Sequence, residues 1–424
     1  MNLKRVYLTG RTYFIILCVM GAMAILSSTM SKNPVLNPFA VSLGAPSDLI
    51  GIIAAASTIP GIIVSLPAAS LSDIFGRKKV LLFATFIFAS APFLYLGITT
   101  WWQLALVRFY HGFATAMFIP VAEVTIAERF PTKRGERMAT FNSATYVGRG
   151  IAPFLGGSIL FLTNYSFHTL YIAVAIAGTT SFTIALLLLT ENKKTIHTST
   201  TPTADNAIID TKPMKAKIAT GQMLKGWLTI AHNKNALTIS FIQACQYYAY
   251  GTMEFYLVQY MIEIANLNAL AVSTIIGTQI ISLIILRPIL GRLSDKHGRR
   301  LPIILGCTIS ATLLFLIPHT TQFPLLLLIS IGYGIGFALV ISSTSPLMCE
   351  LAPPKLIGTS IGFLNTTMDI GQTLGPIISG IILATTLTYT GLFTSLTILL
   401  TTSAIIFTIS NIDKHHKTNN PKTT

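Results

Sequence analysis

Residues 69–78 read Ala69-Ser-Leu-Ser-Asp73-Ile-Phe-Gly76-Arg77-Lys78, and residues 291–300 read Gly291-Arg-Leu-Ser-Asp295-Lys-His-Gly298-Arg299-Arg300. Each segment sits between two long apolar stretches, and the two are 222 positions apart. A glycine followed by two cations is a common end for a membrane helix, so a single copy carries little weight. Two copies at a fixed offset predict a duplicated unit. The same offset pairs Gly112 with Gly334, Glu128 with Glu350 and Phe141 with Phe363. After one inserted residue an offset of 223 pairs Asn142 with Asn365, Gly148 with Gly371, Pro153 with Pro376 and Gly157 with Gly380.

Composition sets the class. Of 424 residues, 52% are hydrophobic and 10% charged, with a mean hydropathy of +0.67; soluble domains carry roughly 25% charged residues. Twelve apolar stretches, from 13–40 to 391–411, are long enough to cross a hydrocarbon core of about 30 Å, which takes about 20 helical residues. The fold class expected is an all-α membrane protein, its twelve transmembrane helices forming two pseudo-symmetric six-helix bundles. The N-terminal bundle is placed at 1–190, a Thr- and Lys-rich cytoplasmic linker at 191–235, the C-terminal bundle at 236–412 and a cytoplasmic tail at 413–424. Residues Met214 to His232 of the linker read as a helix lying on the membrane surface.

In a soluble protein the formal charge of +15 would suggest nucleic acid. Here 25 of the 29 Lys and Arg fall in the tails and alternate loops assigned to the cytoplasm. The other four, Lys32, Arg108, Arg149 and Arg287, fall within apolar spans. This asymmetry is the positive-inside pattern, so it predicts an integral plasma (inner) membrane protein with both termini cytoplasmic and speaks against a nucleic-acid partner. Lys4-Arg5 and the apolar run after them resemble a signal peptide, but an uncleaved first helix keeps the helix count even. Cys18, Cys245, Cys307 and Cys349 show no metal-ligand spacing and read as packed thiols. Asn164-Tyr-Ser166 is a glycosylation sequon in an outer loop.

The paired segments and their setting resemble the loop between the second and third helices in each half of the major facilitator transporters, with Ala69 where that family usually has Gly. The resemblance implies an inner gate formed by Asp73, Gly76, Arg77 and Glu128, mirrored by Asp295, Gly298, Arg299 and Glu350, that latches and separates as the transporter cycles. The two glycines suit a tight reversal, and the cations hold the loop at an anionic surface. Arg287, just before Pro288, reads as part of the same inner cluster and not of a substrate site. Leu104-Ala-Leu-Val-Arg108 resembles the Arg-bearing fourth helix of proton-coupled members, where the Arg tunes a neighbouring acid; the alternative is an Arg that snorkels to the outer surface. Gly148-Arg-Gly-Ile-Ala-Pro153-Phe-Leu-Gly156-Gly157 resembles the Gly-Pro signature of family antiporters, with Ala152 in place of Gly. Gly375 and Pro376 stand at the matching place in the eleventh helix, and these small residues suit close helix packing.

Ionisable groups at bilayer depth are costly and mark function by default. Asn142, Tyr146 and Arg149 share one face of the fifth helix; Asn365, Asp369 and Gln372 hold the equivalent face of the eleventh. Arg149 and Asp369 are therefore the expected polar centre, either as a proton-loading acid beside an Arg or as a static pair joining the halves. The seventh helix adds a stripe of Gln243, Gln246, Tyr247, Tyr250 and Glu254, expected to line the cavity. Proton coupling is assigned to Asp369, Glu254, Arg108 and Glu123, and the substrate cavity includes Lys32.

The leading expectation is a secondary transporter, similar to the twelve-helix drug/proton antiporters, that exports small organic molecules by alternating access. The alternative is a facilitator or proton symporter importing a metabolite such as an organic anion held by Lys32, Arg108 and Arg149. A non-transporting receptor would need a large soluble output domain. Enzymatic function lacks a nucleotide loop, a metal cluster or a nucleophile with its base. The expected partners are a small-molecule substrate, protons and lipid, with no cofactor or metal, and the protein is expected to act as a monomer.

Overall fold

The computed structural model describes residues 10–64, 72, 75–130, 134–188, 227–353, 356–410 and 412. Asp73, the linker up to residue 226 and both tails lie outside the described residues. Among the described residues twelve helical rods follow one another: α1 Gly10–Met30, α2 Ser47–Ala55, α3 Arg77–Leu96, α4 Trp101–Arg129, α5 Arg134–Leu162, α6 Phe167–Leu188, α7 Lys234–Thr252, α8 Ala269–His297, α9 Arg300–Leu316, α10 Phe323–Leu351, α11 Ile357–Leu383 and α12 Thr388–Ser410. Two rods are interrupted. The helix of α2 resumes at 59–64 after a turn, and α7 continues through a π-helical turn, Met253–Leu257, into Val258–Glu263. The first apolar stretch, expected to be continuous over 13–40, breaks at 31–35, and a short helix, Leu36–Ser42, follows. Pro34 and Pro38 lack the amide hydrogen that an unbroken helix would require.

Among the described residues, eight helices are long and apolar enough to cross a membrane: α1, α3, α4, α6, α8, α9, α10 and α12. The remaining four are α2, whose described apolar part is short, and α5, α7 and α11. These last three carry the polar stripes noted in the sequence, and the stripes lower their hydropathy.

The duplication reappears atom by atom. The end bearing the two Gly-Arg loops is here called the basic end. There Gly76 and Gly298 take φ of +91° and +90°, a left-handed conformation in which a side chain is strained. Arg77 pairs with Glu128 at 2.9 Å and also bonds Ser72. Arg299, in the equivalent place, pairs with Glu350 at 2.9 Å and bonds Ser294. Packing repeats in the same way. Gly112 of α4 presses on the Ser57 backbone, and Gly334 of α10 on the Gln279 carbonyl. Gly148 of α5 meets the Ala22 carbonyl, and Gly371 of α11 the Ala244 carbonyl.

The buried apolar core shows how the two bundles meet. At the basic end it divides into two clusters. One is built from Tyr13, Phe88, Phe118 and Phe141 of the N-terminal half; the other is built from Ile230, Ile303, Leu347 and Phe407 of the C-terminal half. At the opposite end a single cluster joins both halves, packing Met30, Phe39 and Ile50 with Met253, Tyr256 and Ile275. There α2 packs on α11, where Gly51 abuts the Pro376 carbonyl, and α5 packs on α8, where Gly157 abuts Ser273. Among the described residues the buried apolar core is thus shared by the bundles at one end and divided between them at the other. Trp227, at the described end of the linker, packs edge-on against Phe363 at 5.5 Å.

Candidate functional site

Between the halves lies a cavity of about 590 Å³ lined from α1, α2, α4, α5, α7, α8, α10 and α11. Cavities of roughly this size hold small organic ligands. The faces of α5 and α11 meet it as the repeat demands: Asn142, Tyr146 and Arg149 from one side, Asn365, Asp369 and Gln372 from the other. Gln243, Tyr247, Tyr250 and Glu254 reach it from α7 and the π turn. Gln246 turns away from the cavity and donates to Cys307 Sγ of α9 at 3.4 Å. A helical stripe spreads over an arc wider than the cavity mouth, and Gln246 lies on its far edge.

The ion pair between the halves differs from the sequence expectation. Arg149 and Asp369 both face the cavity but form no ion pair. Lys32 instead pairs with Glu254, whose carboxylate also accepts from Asn33 Nδ2 at 3.1 Å and Gln372 Nε2 at 3.2 Å. Glu254 sits in the π turn, Met253–Leu257, and meets Lys32 just beyond the end of α1. One level toward the opposite end, Asn37 Nδ2 donates to Gln259 Oε1 at 3.2 Å, and Gln259 donates in turn to Glu263 at 2.9 Å.

Three guanidiniums face the same space. Arg108 is buried and points inward, so it does not snorkel; it donates to Ser57 Oγ at 2.5 Å, and its Nε has no partner among the described residues. Arg149 lies 5.8 Å from the centre of the Tyr146 ring. Arg287 lines the cavity and donates to Tyr146 Oη at 2.5 Å, bridging the halves. Its sequence assignment to the inner charge cluster is therefore corrected. It lies ten residues from the end of α8, about 15 Å along the axis at 1.5 Å per residue. Among the described residues none of these three is ion-paired.

Of the cavity acids, Glu254 is taken by Lys32, and Glu123 accepts from Asn142 Nδ2 at 2.9 Å. The Asp369 carboxylate has neither an ion pair nor a hydrogen bond among the described residues. It faces Gly61 of the second rod, where the Cβ of an alanine would fall 3.4 Å from its Oδ2. Tyr247, Tyr250 and Phe337 form an aromatic wall, with Tyr250 stacked on Phe337 at 4.7 Å. Ser57, Gly61, His111 and Phe337 line the cavity as well and were not legible in the sequence, because small or lone side chains leave no stripe.

At the basic end Arg77 pairs with Glu128 within the N-terminal half, and Arg299 pairs with Asp295 and Glu350 within the C-terminal half. Among the packing residues, Gly156 approaches Met30, and Gly375 meets the Tyr248 carbonyl. Pro153 and Pro376 lie inside their helices, and the Pro376 carbonyl accepts from Tyr256 Oη at 3.2 Å.

The sequence profile described as Major Facilitator Superfamily matches residues 12–368 and 239–424. An uncharacterised MFS-type transporter of Methanocaldococcus jannaschii is 25% identical over 351 residues, covering 82% of this chain and 85% of its own length. A probable galactarate/D-glucarate transporter of Escherichia coli is 24% identical over 353 residues, covering 75% and 76%. A multi-drug resistance efflux pump homologue of Lactococcus lactis is 24% identical over 344 residues, covering 76% and 78%. Among solved structures, a bacterial homologue of the human lysosomal transporter Spinster, inward-facing and occupied, superimposes with a TM-score of 0.74 at 13% identity over 98% of this chain and 99% of that one.

Proposed function

The chain belongs to the Major Facilitator Superfamily and is an integral membrane transporter; from that premise we propose that it carries a small organic anion by alternating access, with the proton as its coupled ion. The observation that carries this reading is the set of three guanidiniums, Arg108, Arg149 and Arg287, facing one cavity without a carboxylate partner among the described residues. A cation held in a membrane-embedded site without a counter-ion is costly. A substrate carboxylate supplies that counter-ion, and the planar fork of a guanidinium binds it bidentately. The cavity wall carries four basic groups, counting Lys32, against the three acids Glu123, Glu254 and Asp369, which favours an anionic ligand over a cationic one.

In this reading Asp369 carries the proton, which is supported by Lys32 and Asn142 occupying the other two carboxylates. The basic end is assigned to the cytoplasm of a plasma membrane, so the conformation described is closed outside and parted inside. Binding from that side, rocking of the bundles and release on the other complete the cycle. A second reading, proton-driven export of lipophilic compounds, draws on the aromatic wall of Tyr247, Tyr250 and Phe337.

Exchange in proteoliposomes separates the two. The probes are D-glucarate and galactarate, chosen from the relative's name, against the lipophilic cation ethidium. The expected result is exchange of the carboxylates and at least a tenfold loss in Arg149→Gln, about the 1.4 kcal/mol or more that a charge-assisted bond contributes. Asp369→Asn is expected to keep exchange at zero pH gradient and to lose accumulation driven by one. Exchange of ethidium with none of either carboxylate would overturn the anion reading, and gradient-driven accumulation intact in Asp369→Asn would overturn the role of that acid.

A further inference from the structure

The basic end of the N-terminal half holds a second cationic centre, remote from the cavity. The guanidinium of Arg129, the last residue of α4, lies 3.6 Å over the ring of Tyr13. That of Arg137, in the first turn of α5, lies 4.5 Å from the centre of the Phe14 ring and 5.3 Å from that of Phe130. Phe14 and Phe130 meet edge to face at 5.6 Å. Three elements, α1, α4 and α5, thus contribute to one aromatic platform carrying two half-buried guanidiniums. Neither forms an ion pair among the described residues, and the neighbouring Glu128 is held by Arg77.

The repeat shows that the fold does not require this cluster. The equivalent positions in the C-terminal half are Asn235, Ala236, Leu351, Ala352 and Thr359, which supply neither a cation nor an aromatic ring. An aromatic face holds a guanidinium flat and leaves its N–H edge free for an anion. Phosphate oxygens match that edge, and basic pockets between membrane helices at the cytoplasmic side suit lipid headgroups. Continuing from the cluster along α1, the apolar Ile15 and Val19 are 53% and 43% exposed, which suits an acyl chain and gives a soluble phosphate nothing to gain.

We propose that Arg129 and Arg137, seated on Tyr13, Phe14 and Phe130, bind the phosphodiester headgroup of an anionic phospholipid in the leaflet at the basic end. The headgroup ties the start of α1 to the junction of α4 and α5. The site is independent of the substrate reading, because neither arginine lines the cavity.

Native mass spectrometry of the full chain in detergent, titrated with dioleoyl phosphatidylglycerol, dioleoyl phosphatidylcholine or inorganic phosphate, tests it. The expected result is a phosphatidylglycerol adduct that millimolar phosphate does not displace, weakened about fivefold by Arg129→Gln or Arg137→Gln and about 25-fold by both, since each basic side chain at an anionic surface contributes about 1 kcal/mol. Phosphatidylcholine adducts are expected to be unchanged. Equal phosphatidylglycerol binding by wild type and double variant overturns the site. Displacement by inorganic phosphate overturns the lipid assignment. Should the double variant fail to fold, the wild-type titration still decides, because equal retention of the two lipids contradicts the proposal.

Discussion

Lys32 and Glu254 are 222 residues apart, as are Asn37 and Gln259. Two residues at equivalent positions of a repeat can touch each other only beside the pseudo-twofold axis, so these pairs mark that axis. They also close the end of the cavity away from the signature loops, and a movement that opens that end has to part them. Removing one partner of a buried ion pair strands the other charge at a cost of about 3–5 kcal/mol. Lys32→Glu and Glu254→Lys alone are therefore expected to lower carboxylate exchange at least tenfold, and the two together to recover most of it, because reversing a pair on the axis restores attraction in the same place. A double variant no better than the worse single variant would show that the pair has another role. The pair was legible in principle through its offset. Read residue by residue, Lys32 and Glu254 stood as unconnected signals in the first and seventh helices, because local periodicity carries no information about contacts between halves.

At the scale of elements, the twelve rods and their pairing were legible because apolar length and the 222-residue offset are properties of the chain itself. The polar faces of α5, α7 and α11 were legible for the same reason: Asn142, Tyr146 and Arg149, Gln243, Tyr247 and Tyr250, and Asn365, Asp369 and Gln372 recur at helical spacing and line the cavity, whereas Gln246 of the same stripe does not. What stayed hidden was depth and direction. Arg287 reads in the sequence as part of the inner charge cluster because Pro288 and the second signature follow it, yet α8 runs unbroken to His297 and leaves it beside Tyr146. The interruption at 31–35 was masked by the apolar residues on both sides of it. The repeat also makes a quantitative prediction for helix packing. Gly148 and Gly371 face the Ala22 and Ala244 carbonyls in the same way, so Gly148→Val and Gly371→Val are each expected to destabilise the protein by about 1–3 kcal/mol and to lower the melting temperature by similar amounts. A large drop in one and none in the other would mean that the two halves do not pack equivalently.

At the scale of the molecule, the internal braces and the divided core suit the proposed cycle, in which two bodies move as units. Arg77 pairs with Glu128 and Arg299 with Glu350 inside their own bundles, and among the described residues the apolar core is continuous between bundles at the end away from those braces. On the proposed reading the binding groups lie at the hinge, where Arg108 and Arg149 of the N-terminal half and Arg287 of the C-terminal half share a cavity with Asp369 and the aromatic rings. Pulsed electron–electron distance measurement on two pairs of spin labels, in a background free of reactive cysteines, tests this account most directly. Lys79 and His297 report on the basic end, and Asn164 and Thr385, both exposed, report on the opposite end. Cycling pH and carboxylate is predicted to shorten the first distance while lengthening the second, in populations that trade one for one. Distances that stay fixed, or that lengthen together at both ends, would contradict alternating access by two rigid bundles.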